Sequence, residues 1–203
     1  MSLRHSAAWI PTTLRIFRSV GPLVAIALLT MATAASAQGI TDLQVADEIA
    51  KQVNSYTRYT IFDDVSAQVE NGVVTLTGKV TMPYKKDDLG RQVAKIDGVR
   101  EVQNQIDVLS VSPFDEELRY RIARAIYGNP SFWNYAAMAN PPIHVIVDRG
   151  RVTLTGVVNS NVERMLARSL ATGFGELEVV NDLRTDAEVR QQRFSYLSGT
   201  SSR

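Results

Sequence analysis

The chain contains no cysteine in 203 residues and only two histidines. The first absence excludes disulfides, thiolate metal cages, a thiol nucleophile and a lipid carried on an N-terminal cysteine. The second leaves His144 as the one imidazole outside the N-terminal leader, so a zinc site or Ser/His/Asp catalysis would have to converge on it. Alternation of Ile143, Val145 and Val147 toward a core turns His144 to the opposite face, where a surface position is expected. Charge of one sign is also scarce. The 22 basic and 21 acidic residues nearly cancel, and removing the three leader arginines leaves 19 against 21, which excludes the basic field of a nucleic-acid binder. The carboxylate pairs Asp63-Asp64 and Asp87-Asp88 read as loop and helix-start charges rather than a metal or acid/base site. No glycine-rich phosphate loop is present, because Gly72 and Gly78, like Gly150 and Gly156, are separated by strand residues.

The first 37 residues carry Arg4, Arg15 and Arg18, no acidic residue, an apolar run from Leu23 to Leu29 and Ala35-Ser36-Ala37. This is the pattern of a cleavable signal peptide over residues 1–37, with cleavage before Gln38. Gly21, Pro22 and Ser36 argue against a membrane anchor here. An exported chain is expected to work in the periplasm.

The remainder is built on a repeat. Val-Glu-Asn-Gly-Val-Val-Thr-Leu-Thr-Gly-Lys-Val at Val69 to Val80 returns 78 residues later as Val-Asp-Arg-Gly-Arg-Val-Thr-Leu-Thr-Gly-Val-Val at Val147 to Val158. Upstream, Asp42, Val45, Ile49 and Val53 match Asp115, Leu118, Ile122 and Ile126 at an offset of 73. Downstream, Leu89, Val93, Gly98, Val102 and Asn104 match Leu166, Leu170, Gly175, Val179 and Asn181 at an offset of 77. Two copies of one unit must bury the same apolar positions.

Each unit reads helix, strand, strand, helix, strand. Thr41 caps a first helix whose Val45, Ile49 and Val53 share a face. Val65, Ala67 and Val69 alternate along a strand that turns at Asn71-Gly72 into a second, with Val74, Leu76, Gly78 and Val80 inward. Gly78 is expected where a helix backbone lies against the sheet. A second helix carrying Leu89, Val93 and Ile96 ends near Gly98, and Val99 to Val108 forms the last strand. In the second copy Ser112-Pro113 starts the helix, Arg149-Gly150 makes the turn, and Ser160 with Glu163 resembles a capping box. The fold class is α+β: two tandem αββαβ modules, each a three-stranded mixed sheet covered on one face by two helices. The modules span residues 38–110 and 111–186, and the Ser- and Gln-rich tail, residues 187–203, reads as disordered.

The sequence Gly72, Val74, Thr75, Leu76, Thr77, Gly78, followed by Gly98, Val99, Val102, Asn104 and Ile106, resembles the BON domain of bacterial envelope proteins. Gly150, Val152, Thr153, Leu154, Thr155, Gly156, Gly175, Val179, Asn181 and Leu183 repeat the pattern, with Glu176 in place of Val99. A leader followed by two such domains is similar to the osmotically inducible periplasmic proteins. The resemblance implies a non-enzymatic protein that associates with phospholipid surfaces and supports envelope integrity under stress. It implies no catalytic residue, metal, cofactor or small-molecule substrate. An adaptor that binds an envelope protein or cell-wall partner is the alternative. The matched residues are turn glycines and core aliphatics, so none carries over as a binding residue.

Candidate contact residues come instead from where the copies differ. The second carries about five extra residues within Tyr127 to Pro142, which gather Tyr127, Phe132, Trp133 and Tyr135. The preceding helix has Arg119, Arg121 and Arg124 where the first copy has Ala46, Glu48 and Lys51. Aromatics beside a basic helix suit an anionic lipid surface or a protein partner. The competing reading folds the aromatics inward over the core, and Glu116 and Glu117 make the helix face an ordinary mixed one.

Overall fold

The computed structural model describes residues 42–197. The expected leader, the Thr41 cap and residues 198–203 of the tail lie outside them. Helix α1 spans 42–55 and buries Val45, Ile49 and Val53. Strands β1 (Asp64–Glu70) and β2 (Val73–Val80) form an antiparallel hairpin, and α2 (Pro83–Val93) crosses over to β3 (Glu101–Asn104), which runs parallel to β2. The second module repeats this with α3 (Pro113–Tyr127), β5 (Ile143–Asp148), β6 (Arg151–Val158), α5 (Asn161–Leu170) and β7 (Glu178–Asn181). Each central strand turns its alternate aliphatics into a separate core, Val74, Leu76 and Val80 in one and Val152, Leu154 and Val158 in the other.

The last strand of each unit is not continuous. After Asn104 the ladder breaks and resumes as β4 (Asp107–Val108), again parallel to β2, and β8 (Arg184–Thr185) does the same beside β6. The cause is a repeated asparagine. Asn104 donates its side-chain amide to Lys86 O at 2.8 Å and Asn181 to Arg164 O at 2.9 Å, tying the strand to the crossover helix. The break lets Ile106 and Leu183 enter the cores.

The glycine after Thr-Leu-Thr has a different partner from the one expected. Gly78 and Gly156 have φ of +117° and +112°, and a Cβ would fall against the carbonyl oxygen of Asp64 or Pro142 in the neighbouring strand segment, not against a helix. A second shared device is the carboxylate at each first helix. Asp42 accepts from Asn71 N and Gly72 N at 2.9 and 3.2 Å, and Asp115 from Arg149 N and Gly150 N at 2.8 Å each. Each hairpin turn is thereby clamped to a helix start, which explains why aspartate recurs in the repeat.

The tail also departs from expectation. Residues Asp186–Leu197 form helix α6, because Thr185 and Glu188 cap one another: Thr185 N donates to Glu188 at 2.7 Å and Glu188 N to Thr185 Oγ1 at 3.3 Å. Glu188 also pairs with Arg164 on α5, and Arg193 reaches Asp47 on α1 at 2.6 Å. Helix α6 is thus tied to both modules.

The modules meet through residues 60–63. Asp63, read from sequence as a loop charge, is fully buried and pairs with Lys85 at 2.6 Å. Its other oxygen accepts from Thr81 N and Thr81 Oγ1, and Thr60 donates to the Lys85-facing oxygen. Burial by itself would raise the Asp63 carboxyl, but Lys85 and the threonine donors hold it below the ordinary value. The backbone of the same segment faces the second module: Ile61 O accepts from Val145 N at 2.7 Å, and Asp63 O lies 2.6 Å from His144 Nδ1. His144 is therefore half-buried under Tyr59, its ring centroid 5.5 Å away, rather than on an open surface. Lys79 adds a bridge to Asp148 at 2.7 Å, and Phe62 packs edge-on to Tyr120.

Asp115→Ala should cost about 2–3 kcal/mol in urea denaturation because its buried carboxylate holds two amides that water cannot readily reach, and Asp42→Ala about 1 kcal/mol because that carboxylate is more open to water. Asp63 titrates below its unfolded value of about 3.9. Its contribution is complete above about pH 4 and is lost as pH falls through the depressed folded value, so the urea midpoint should drop there in the wild type and change less in Asp63→Asn. Lys85→Met should cost about 3 kcal/mol at neutral pH by leaving the carboxylate unpaired.

Candidate contact surface

Helix α3 presents its three arginines in three different environments. It starts at Ser112, whose hydroxyl accepts from Asp115 N at 3.2 Å, with Pro113 in its first turn. Leu118, Ile122 and Ile126 face the core. Arg119 is turned inward as well, donating to Val147 O at 2.7 Å. Arg121 points outward, 3.8 Å from Glu117, with its guanidinium 5.2 Å over the Phe174 ring. Arg124, in the last turn, is exposed.

The insertion divides in the same way. Asn129 caps a short 3₁₀ turn, Pro130–Phe132, that leads into α4 (Trp133–Ala136). Phe132 is fully buried in the second core and stacks on Tyr135 at 6.0 Å between centroids. The Tyr135 hydroxyl donates to Glu163 at 2.7 Å and accepts from Asn159 N at 2.9 Å, and burial with the adjoining carboxylate pushes its pKa up to about 12. Tyr127 donates to Ile143 O at 2.5 Å and accepts from Ile143 N at 3.1 Å, and burial raises its pKa. Trp133 alone among these aromatics stays outside, 63% exposed. Of the seven residues singled out from sequence, Arg119, Tyr127, Phe132 and Tyr135 therefore serve the packing of the second module. Arg121, Arg124 and Trp133 are the ones available to a partner.

Sequence reasoning passed over a second set. Phe114 and Leu177 are 51% and 77% exposed and flank the Arg149-Gly150 turn, where Leu177 N donates to Gly150 O at 2.8 Å. On α5, Val162 and Met165 are 75% and 71% exposed, one turn apart. The signal was in the repeat: Phe114, Val162, Met165, Phe174 and Leu177 stand where the first copy has Thr41, Lys85, Asp88, Asp97 and Arg100. The first module uses such side chains internally, Lys85 on Asp63, Asp88 on Tyr56 and Arg100 on the Asn71 carbonyl. The second replaces them with apolar groups at or near the surface. Its basic residues there are Arg121, Arg149 and Arg151, the last paired with Glu178 at 3.3 Å.

Nothing among the described residues gathers three or more potential metal ligands. No described helix is long and apolar enough to cross a membrane.

The family model described as the BON domain matches residues 41–110 and 115–187. The chain belongs to the BON domain family. BON domains are non-catalytic modules that associate with phospholipid membranes, and this chain carries two in tandem. Among curated proteins none matches the sequence. A solved structure of CdsD, a structural protein of the type III secretion system of Chlamydia trachomatis, aligns at 15% identity over 72% of this chain and 97% of its own, with a TM-score of 0.25. The C-terminal domain of CdsD aligns at 14% identity over 67% and 96%, with a TM-score of 0.23.

Adjacent residues of the insertion should behave in opposite ways. Phe132→Ala is expected to lose about 3–5 kcal/mol in urea denaturation by opening a cavity in the second core. Trp133→Ala should stay within about 0.5 kcal/mol of the parent.

Proposed function

We propose that this is a periplasmic, non-catalytic tandem BON protein that supports the envelope under stress by docking on anionic phospholipid through its second module. The observation that carries the reading is the asymmetry between copies. Exposed Phe114, Val162, Met165 and Leu177 replace threonine, lysine, aspartate and arginine of the first module, and α3 adds Arg121 and Arg124. Apolar side chains that enter the interfacial region beside arginines that meet headgroup phosphates are the two components of peripheral membrane binding. Glu117 offsets part of the Arg121 charge, so binding rests on both components together. The N-terminal leader pattern supports export.

Trp133 supplies the measurement, because Trp9 lies in the expected leader and is removed with it. Residues 38–203 titrated with anionic vesicles should co-sediment with them, shift the Trp133 emission to the blue and release as salt rises; neutral vesicles should do much less. Arg121→Glu with Arg124→Glu, and separately Phe114→Ser with Leu177→Ser, should each weaken co-sedimentation about tenfold or more. Unchanged partition in both double variants would refute the proposed face.

A further inference from the structure

The two modules treat the outer edge of their hairpins differently. In an antiparallel hairpin closed by a two-residue turn, alternate residues of the outer strand direct their N–H and C=O away from the partner strand. With Glu70 paired to Val73 and Asp148 to Arg151 next to the turns, these are Val65, Ala67 and Val69 on β1, and Ile143, Val145 and Val147 on β5. Four of the six outward groups on β5 are bonded. Tyr127 bonds both Ile143 groups, Ile61 O takes Val145 N, and Arg119 donates to Val147 O.

The edge of β1 is closed only at Val65 N, which donates to Tyr59 Oη at 3.1 Å. Ala67 and Val69 have no hydrogen bond on that side among the described residues. The residue equivalent to Arg119 is Ala46, too short to reach Val69 O. Between α1 and β1 it leaves a groove of about 610 Å³ walled by Leu43, Ala46, Ala67 and Val69, with Gln192 of α6 along it.

We propose that this groove binds an extended, basic-flanked segment of another protein as an added strand on β1. An unpaired edge is a template for main-chain pairing. The matching edge of β5 already takes one main-chain bond from outside its hairpin, Val145 N to Ile61 O, with the Asp63 carbonyl on the His144 ring beside it. The charge of the edge selects the occupant: β1 reads Asp-Val-Ser-Ala-Gln-Val-Glu and has an acid at each end and no cation. A second copy pairing two-fold about Ala67 would place Asp64 opposite Glu70 twice, which like-charge repulsion disfavours. Lysine or arginine at the ends of the incoming strand meets those carboxylates instead. This edge lies on the first module and is independent of the lipid face proposed for the second.

The probe is a synthetic peptide, acetyl-Lys-Thr-Val-Thr-Val-Thr-Lys-amide, added to the ¹⁵N-labelled protein. Hydrogen exchange of the Ala67 and Val69 amides should slow at least tenfold at saturation, and the same peptide with glutamate ends should bind at least tenfold more weakly. Ala46→Arg supplies the plug found in the second module and should abolish the protection. Ala67→Pro removes one outward donor at an edge position where proline is tolerated, and should also abolish it. A folded Ala46→Arg variant that binds like the parent would overturn the proposal, as would peptide-induced shifts confined to other residues. Protection of Ala67 and Val69 that grows with protein concentration alone would assign the edge to a second copy and overturn it equally.

Discussion

A buried carboxylate holds the two halves of this molecule in register. Asp63 is removed from water and paired with Lys85, and its remaining lone pairs are taken by Thr60 and Thr81. That network fixes the turn at residues 60–63, whose Asp63 side chain belongs to the first module while Phe62 and the carbonyls of Ile61 and Asp63 meet the second. Isolated units of this size bury too little surface to be more than marginally stable. Joining them through a turn anchored in one core and bonded to the edge of the other makes the two modules one compact unit.

Repetition and divergence have separate physical meanings here. What repeats is geometric: the aspartate that clamps each turn, the positive-φ glycine at the strand crossing, and the asparagine that breaks the last strand onto the crossover helix. Each solves a backbone problem that any copy of the unit meets. What differs is surface chemistry. The first module spends Lys85, Asp88 and Arg100 on internal bonds and leaves a strand edge open beside Ala46. The second closes its edge with Arg119 and Tyr127 and turns apolar groups outward. One fold thus offers two unlike faces, an apolar and basic one beside α3 and an acidic backbone edge along β1.

The insertion shows where reading from sequence falls short. Aromatics in a proline-bounded loop carry no mark that separates those that fill a core from those that leave it. Phe132 and Trp133 are neighbours in the chain, yet the 3₁₀ turn begun by Asn129 and Pro130 sends one ring inward and the other out. The three arginines of α3 divide likewise, because Arg119 lies beside the unpaired carbonyl of Val147 and the other two do not. The C-terminal helix was concealed by its polar composition, although Thr185 and Glu188 spell a capping box that could have been read.

By itself the sequence determined the repeat, the order of elements, the inward faces of the central strands and membership of the BON family, because these rest on local periodicity and turn chemistry that each copy states independently. Asp63 as the junction, His144 beneath Tyr59, the closed and open hairpin edges, and the split between buried and available aromatics were decided by tertiary structure. Each depends on groups brought together from far apart in the chain, Asp63 with Lys85 and then with His144, and no local pattern encodes which distant side chain will satisfy a buried charge or an unpaired carbonyl.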